Sequence, residues 1–380
     1  MKILALDVGK SKSVAYRLDS ETGEVGFKTI LTRAESFVRL VARWRPDRVV
    51  FEIGPLAGWI HDVMTGCGVH EVQVANPMGE AWRWRNLKRK TDRDDAVKLA
   101  ELSAAGQLPT VHLPRPEVRQ WRQLIAYRVT LADRQTAAKN RVRAILAMAG
   151  ETLPAGKKGW TIEAREHLRA LARPLAECGP EDLWRGMLAV ELDLLETLET
   201  QETVVMAALG RRAAADERVR RLETIPGLGP RTAEMLVALL DDPHRFGSAK
   251  QVSAYLGLVP RQFQSGAMDR RGRITKRGSP LARRLLVQAA WASLRWNAAM
   301  RRVFERVSRN HRGRRKVAIV AVARRLAVIA WVMLRDGTTW QIGRAATGRR
   351  ARPRPAGMLR APGLSHPGSG SFDPEVSNTA

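Results

Sequence analysis

Ile3-Leu4-Ala5-Leu6-Asp7-Val8-Gly9 and Val49-Val50-Phe51-Glu52-Ile53-Gly54-Pro55 share one pattern, an unbroken apolar run that ends on an acid just before a glycine turn. A run apolar at every position suits a strand buried on both faces. Each therefore delivers its acid, Asp7 or Glu52, to the C-terminal end of an interior strand. Outward from these, Ser13 to Leu18 and Val25 to Leu31 read as two more strands, separated by the turn-forming Asp19 to Gly23 segment, which makes the opening a meander. An amphipathic helix follows with Phe37, Val38, Leu40, Val41 and Trp44 inward, and Pro46 ends it. After the Val49 to Phe51 strand come a helix around Trp59 to Gly66 and a fifth strand, Val72 to Ala75, closed by Asn76 and Pro77.

Three strands, a helix, a strand, a helix and a strand form the order of a ribonuclease-H-like α/β fold, in which the first and fourth strands are neighbours. Asp7 and Glu52 are then expected side by side at one sheet edge. A third acidic element lies in Asn86 to Ala100, where Thr91 and Asp94 have the spacing of a capping box and start a helix. Asp92 and Asp95 are i,i+3 neighbours on that helix and point the same way. Acids also favour any helix N-terminus, where the macrodipole stabilises them, and an acid at a strand end serves equally as a turn residue. Four acids converging, however, suit two-metal phosphoryl transfer, in which carboxylates hold metals about 3.5–4 Å apart.

The 380 residues hold 65 Lys plus Arg against 38 Asp plus Glu, a formal charge of +27. That excess suits a polyanion, because cations that neutralise phosphates release condensed counterions. The apolar Val317 to Leu334 stretch is interrupted by Arg324 and Arg325, which leaves it too short on either side to span a membrane, and Asp7 cuts the first apolar run too early for a signal peptide. The cytosol is the expected location, without membrane partners. Cys67 and Cys178 are too few for a disulfide framework or zinc site, so any metal is held by oxygen, which favours Mg²⁺ or Mn²⁺.

Trp82, Arg83, Trp84, Arg85, Lys88, Arg89 and Lys90 interleave aromatic and basic residues, as a nucleic-acid surface does, with arginine on phosphate and tryptophan on bases. The tryptophans serve equally well as loop anchors. From Pro116 the pattern turns to long helices, one through Val118, Trp121, Ile125, Val142 and Leu146, the next from about Pro180 to Leu209. They read as an antiparallel pair or coiled-coil arm, either an oligomerisation device or a spacer. Ile225-Pro226-Gly227-Leu228-Gly229 followed by Arg231 and Thr232 matches a helix-hairpin-helix turn, whose backbone N–H groups approach a phosphate. A plain turn between packed helices has the same pattern. Ser265-Gly266 lies in a stretch rich in cations, among them Arg271, Lys276 and Arg277, and is expected in a loop. A serine there is either an ordinary turn residue or a nucleophile whose alkoxide the charges stabilise. Leu281 to Trp296 and Val317 to Leu334 supply core helices, and beyond Gly343 the chain is rich in Arg, Pro, Gly and Ser, a composition of disorder.

Taken together, Leu6-Asp7-Val8-Gly9, Phe51-Glu52, Lys90-Thr91-Asp92-Arg93-Asp94-Asp95-Ala96, Ile225 to Gly229, Tyr255-Leu256-Gly257-Leu258-Val259-Pro260, Ser265-Gly266 and Lys276-Arg277-Gly278 resemble the DEDD insertion-sequence transposases. This is the insertion-sequence one-ten family, with the Piv invertase and the bridge-RNA-guided recombinases. The resemblance spans about Met1 to Leu334. It implies a RuvC-like N-terminal domain over residues 1–115, a helical coiled-coil linker over 116–217, a mainly α transposase domain with a helix-hairpin-helix motif over 218–342, and a basic tail over 343–380. It implies a Mg²⁺-binding tetrad of Asp7, Glu52, Asp92 and Asp95, and Ser265 as a nucleophile that becomes joined to the cut DNA strand. It further implies donor and target DNA, a structured guide RNA, and dimers that assemble into a tetramer, with serine and tetrad supplied across a protomer interface. Ser279, where relatives often carry asparagine, is a rival nucleophile. A RuvC-like nuclease using water and a non-enzymatic helix-hairpin-helix scaffold are the alternatives.

Overall fold

The computed structural model describes residues 1–77, 79, 91–265 and 268–341. Residues 1–340 make one compact unit; the second, 341–380, is described only at Gln341. The apolar runs become the interior strands of a five-stranded sheet: β1 (Lys2–Val8), β2 (Lys12–Asp19), β3 (Val25–Leu31), β4 (Arg48–Glu52) and β5 (Glu71–Ala75), in the order β3-β2-β1-β4-β5. β1 is antiparallel to β2 and parallel to β4, so the first and fourth strands are neighbours as expected.

Alternation divides β1 and β4 between two cores. Leu4, Leu6, Val49 and Phe51 face α1 (Ala34–Trp44) and α2 (Ala57–Gly66), where they meet Phe37, Leu40, Val41, Ile60 and Met64. Ile3, Ala5 and Val50 face the other way, onto Ala96, Leu99 and Ala100 of α3 (Asp92–Ala104). Val38, expected inward on α1, is instead exposed, because the buried stripe 37, 40, 41 leaves it about 100° off the core direction.

Two long helices, α4 (Pro116–Met148) and α6 (Leu183–Ala214), pack against each other, with the short α5 (Ile162–Leu171) between them in sequence. The buried stripe of α6 runs through Leu188, Leu192, Leu195 and Leu198. The C-terminal part is mostly helical: α7 (Glu217–Glu223), α8 (Pro230–Leu240), α9 (Ala249–Tyr255), α10 (Pro280–Trp296), α11 (Ala298–Ser308) and α12 (Arg315–Asp336), interrupted by a hairpin of β6 (Pro260–Ser265) and β7 (Met268–Ile274). The sequence expectation that α12 is too short to cross a membrane is corrected: by length and composition it is long and apolar enough. Its Val322, Ala323, Leu326, Ala327, Ala330 and Trp331 are nonetheless buried in the helical core, and Trp331 Nε1 donates to the Pro243 carbonyl at 2.8 Å.

The first turns of α4 tie the sheet to the helices. On one side Arg119 pairs with Asp62 of α2 and donates to the Gly58 carbonyl at 3.3 Å. On the other, Trp121 Nε1 donates to Glu234 Oε1 of α8 at 2.9 Å, Arg128 approaches Glu234 Oε2 at 3.3 Å, and Arg122 donates to the Ala238 and Leu239 carbonyls at 2.7 and 2.9 Å. Burial pushes the Glu234 carboxyl up and the Arg128 guanidinium down despite their pairing. Such a pair adds little net stability, but removing one partner strands a buried charge. Glu234→Ala is expected to lower unfolding free energy by about 3 kcal/mol, read from urea denaturation; a change within about 0.5 kcal/mol, the range of ordinary surface substitutions, would show that water reaches Arg128.

Candidate functional site

The direction of α3 determines where its acids fall. Near its C-terminal end, the Ser103 carbonyl and hydroxyl accept from Arg48 Nη1 at 3.0 and 3.3 Å, and Arg48 is the first residue of β4. The helix start lies over the other end: the Arg93 guanidinium sits 5.3 Å from the Phe27 ring centroid, and Phe27 is level with Tyr16 and, through it, Ala5. α3 thus runs against β1 and β4. From Ser103 back to Asp92 is about 16 Å of helix, and from Arg48 to Glu52 about 13 Å of strand. The first turn of α3 therefore arrives at the strand ends that carry Asp7 and Glu52. The pleat supplies the face, since Asp7 continues the Ile3, Ala5 series and Glu52 follows Val50 by two, all on the α3 side.

Asp7, Glu52 and Asp95 are half-buried and Asp92 is exposed. Among the described residues, no three His, Cys, Asp or Glu side chains are gathered closely enough to hold a metal ion. The four acids thus share one face and one end without forming a closed cage. As donors they are all carboxylates, which suits a hard cation such as Mg²⁺ or Mn²⁺ and not zinc. The helix start is fixed as the sequence predicts: Thr91 Oγ1 accepts from the Asp94 N–H at 3.3 Å and the Thr91 N–H donates to Asp94 Oδ2 at 3.0 Å. Asp94 is thereby spent on the cap, and Asp92 and Asp95 are not. Lys98, one turn after Asp95, was passed over in the sequence although it is buried; a lysine flanked by Val97, Leu99 and Ala100 was the available signal.

Ser265 is not in a loop. It ends β6, paired with Met268, and residues 266 and 267 between them lie outside the described residues. Arg261, Gln262, Phe263, Gln264 and Ser265 are all exposed, so no apolar alternation announced the strand. The hairpin base is held by backbone packed on backbone: a Cβ on Gly257 would lie 1.9 Å from the Arg277 oxygen and one on Gly278 2.0 Å from the Tyr255 oxygen. Arg283 Nη1 donates to the Arg277 and Gly278 carbonyls at 3.1 and 3.0 Å. Lys276 and Arg277 are exposed at that base. Ser279 is taken up as the N-cap of α10, its hydroxyl accepting from the Ala282 N–H at 3.2 Å.

The Ile225 to Gly229 turn does join two helices, α7 and α8, but its glycines differ. Gly227, at φ +90°, packs against α10, where a Cβ would lie 2.4 Å from Ser293 Cα. Gly229 opens α8 with free space around it and Arg231 is exposed, whereas Thr232 is buried and offers no surface hydroxyl. Trp82, Arg83, Trp84, Arg85, Lys88, Arg89 and Lys90 lie outside the described residues, as does the tail from 343, and the side chain of Arg271 is likewise not described.

Residues 4–149 match a DEDD-type model for IS110 elements described as Transposase, and residues 219–305 match the model described as Transposase IS116/IS110/IS902 family. Among curated relatives, the transposase for insertion sequence element IS1111A of Coxiella burnetii is 29% identical over 349 residues, covering 90% of this chain and 92% of the relative. A probable family 20 transposase of Pseudomonas aeruginosa is 30% identical over 257 residues, 67% of this chain and 75% of the relative. The pilin gene-inverting protein of Moraxella lacunata is 30% identical over 121 residues, 31% of this chain and 37% of the relative.

Thr91→Ala removes the hydroxyl half of the capping box and is expected to destabilise the first turn of α3 by about 1 kcal/mol. Amide exchange at Asp94 to Ala96 should speed by several-fold; unaltered protection would mean that the helix start is held by the sheet instead.

Proposed function

The chain belongs to the DEDD-type transposase family of IS110 elements, and on that premise we propose that it cuts and rejoins DNA with Ser265 as nucleophile and Asp7, Glu52, Asp92 and Asp95 as metal-holding acids. What supports this reading is the run of α3 against β1 and β4, which directs its first turn toward the strand ends that carry Asp7 and Glu52. The chemistry is phosphoryl transfer. Ser265 Oγ loses its proton and forms a bond to the phosphorus of a DNA phosphodiester while a phosphorus–oxygen bond of the backbone breaks, leaving a free hydroxyl on one strand end and a phosphoserine on the other. Attack of a new strand hydroxyl on the phosphoserine then restores the diester and the serine. Mg²⁺, when bound, supplies positive charge for the oxygens that become more negative in that step. Asp7 and Glu52 from the strand ends and Asp92 and Asp95 from α3 would hold it.

An exposed serine at the end of a hairpin with every β6 residue exposed suits donation to another protomer's acids, as the family resemblance implies. The α4 and α6 pair would then serve as the coiled-coil linker between a RuvC-like domain ending near residue 115 and a transposase domain beginning near 218. The Gly229 and Arg231 end of α8 would take backbone phosphate in the manner of a helix-hairpin-helix. A structured guide RNA pairing with donor and target DNA completes the proposal and leaves the protein with little base sequence to read.

Incubation of the protein with Mg²⁺, candidate RNA and end-labelled DNA should yield DNA covalently attached to protein. Ser265→Ala is expected to abolish the adduct, and an adduct that survives it removes Ser265 from its role. Asp92→Asn or Asp95→Asn, and chelation of the metal, should each abolish strand exchange while leaving RNA binding largely intact. Cleavage without any adduct would favour a hydrolytic nuclease, and salt-sensitive binding without scission a scaffold.

A further inference from the structure

Between residues 295 and 316 the chain carries nine arginines and lysines against one acid, Glu305. All nine are exposed, and among the described residues none of them sits in an ion pair. On α5 the pattern is different, with Arg165 and Arg169 held by Glu199 and Asp193 of α6. Uncompensated cations at close quarters repel one another, and a polyanion relieves that cost.

The surface is also ordered. Trp291 of α10 lies 5.9 Å from Phe304 of α11 between ring centroids, and the Arg315 guanidinium at the start of α12 lies 5.8 Å from the Trp291 ring. At the elbow between α10 and α11, Asn297 is buried; its backbone N–H donates to the Ser293 carbonyl at 2.8 Å and its side-chain oxygen accepts from the Met300 N–H at 3.2 Å. Arg301 closes the elbow by donating to the Leu294 and Arg295 carbonyls, both at 3.1 Å. This bracing leaves Trp296, beside Arg295, 75% exposed.

An indole held in water by a rigid elbow, among arginines, is a platform for an unstacked base, and every base has a π-face to offer it. A duplex keeps its bases stacked and offers none. A second copy of this chain is a poor occupant, because at +27 it would bring like charge to the patch. We propose that the α10–α11 elbow and the arginine-rich segment leading into α12 bind single-stranded DNA, with Trp296 stacking on an unpaired base and the arginines following the phosphates. This rests on the DNA-acting function above and adds to it the state of the DNA, a strand that loses its pairing when ends are opened for exchange.

The test uses full-length protein in chelator, so that no cleavage enters, and fluorescence anisotropy with labelled oligo(dT) of about 20 nucleotides, a duplex of equal length and oligo(U). Trp296→Ala is expected to weaken oligo(dT) binding about tenfold, leaving duplex binding within about twofold, and Trp296→Phe should retain most of the affinity. Replacing Arg309, Arg312 and Arg314 together by glutamine should flatten the slope of log affinity against log salt by roughly two. Equal losses on single strand and duplex, no loss on either, or a loss confined to oligo(U) overturns the proposal. So does loss of self-association by Trp296→Ala without nucleic acid. The covalent-adduct assay reads the nucleophile assignment, and this binding assay, run without metal, reads the surface, so that failure of one and failure of the other give different results.

Discussion

The molecule depends on what the first turns of α4 hold on either side. The sheet and the C-terminal helices have separate apolar cores. Between them stands one helix, with Arg119 reaching back to α2 and Trp121, Arg122 and Arg128 reaching forward to α8. Grease alone would let two such bodies slide, because hydrophobic contact is non-directional. Hydrogen bonds from a buried indole and guanidinium to one carboxylate have direction, and the buried charges penalise every arrangement that leaves one unpaired. That Glu234 is pushed up and Arg128 down shows the energetic side: desolvation outweighs the attraction, so the pair acts mainly by making alternatives costly.

The same logic recurs at the two ends of the chain. At the acidic end, strand pleat and helix direction turn the strand-end acids and the first turn of α3 toward the same end of the sheet, and a reciprocal cap takes up Asp94. At the basic end, a buried asparagine and an arginine bonded to carbonyls brace an elbow so that a tryptophan remains in solvent. In both places well-made backbone geometry fixes where charged or aromatic side chains stand, which is how a protein prepares for a charged partner.

Much of this was legible beforehand. The strands announced themselves because interior parallel neighbours are apolar at every position, and β3 falls at Val25–Leu31 as read. Thr91 and Asp94 were readable because a capping box is contained within four residues. The β6–β7 hairpin was missed because its exposed strands carry glutamine and arginine where a half-buried strand would show alternation. Val38 was misplaced by a pattern that does not resolve neighbouring positions on a helix. Val317 to Leu334 was readable as a core helix, and α12 runs unbroken through Arg324 and Arg325, with Arg324 bonded to Ser253 Oγ at 3.1 Å.

By itself the sequence determined the strand order's ingredients, the acids at strand ends, the helix start at Thr91, the basic excess and the family, because each is encoded in local pattern or in motifs that survive as short strings. Only the tertiary structure decided that α3 runs against β1 and β4, that Gly227 serves packing while Gly229 stays open, and that Glu234 is the partner of Trp121 across 113 positions of chain. Those facts depend on which distant surfaces meet. A residue pattern records that a side chain is apolar or charged, but the partner that satisfies it is chosen by packing, and packing is a property of the whole chain.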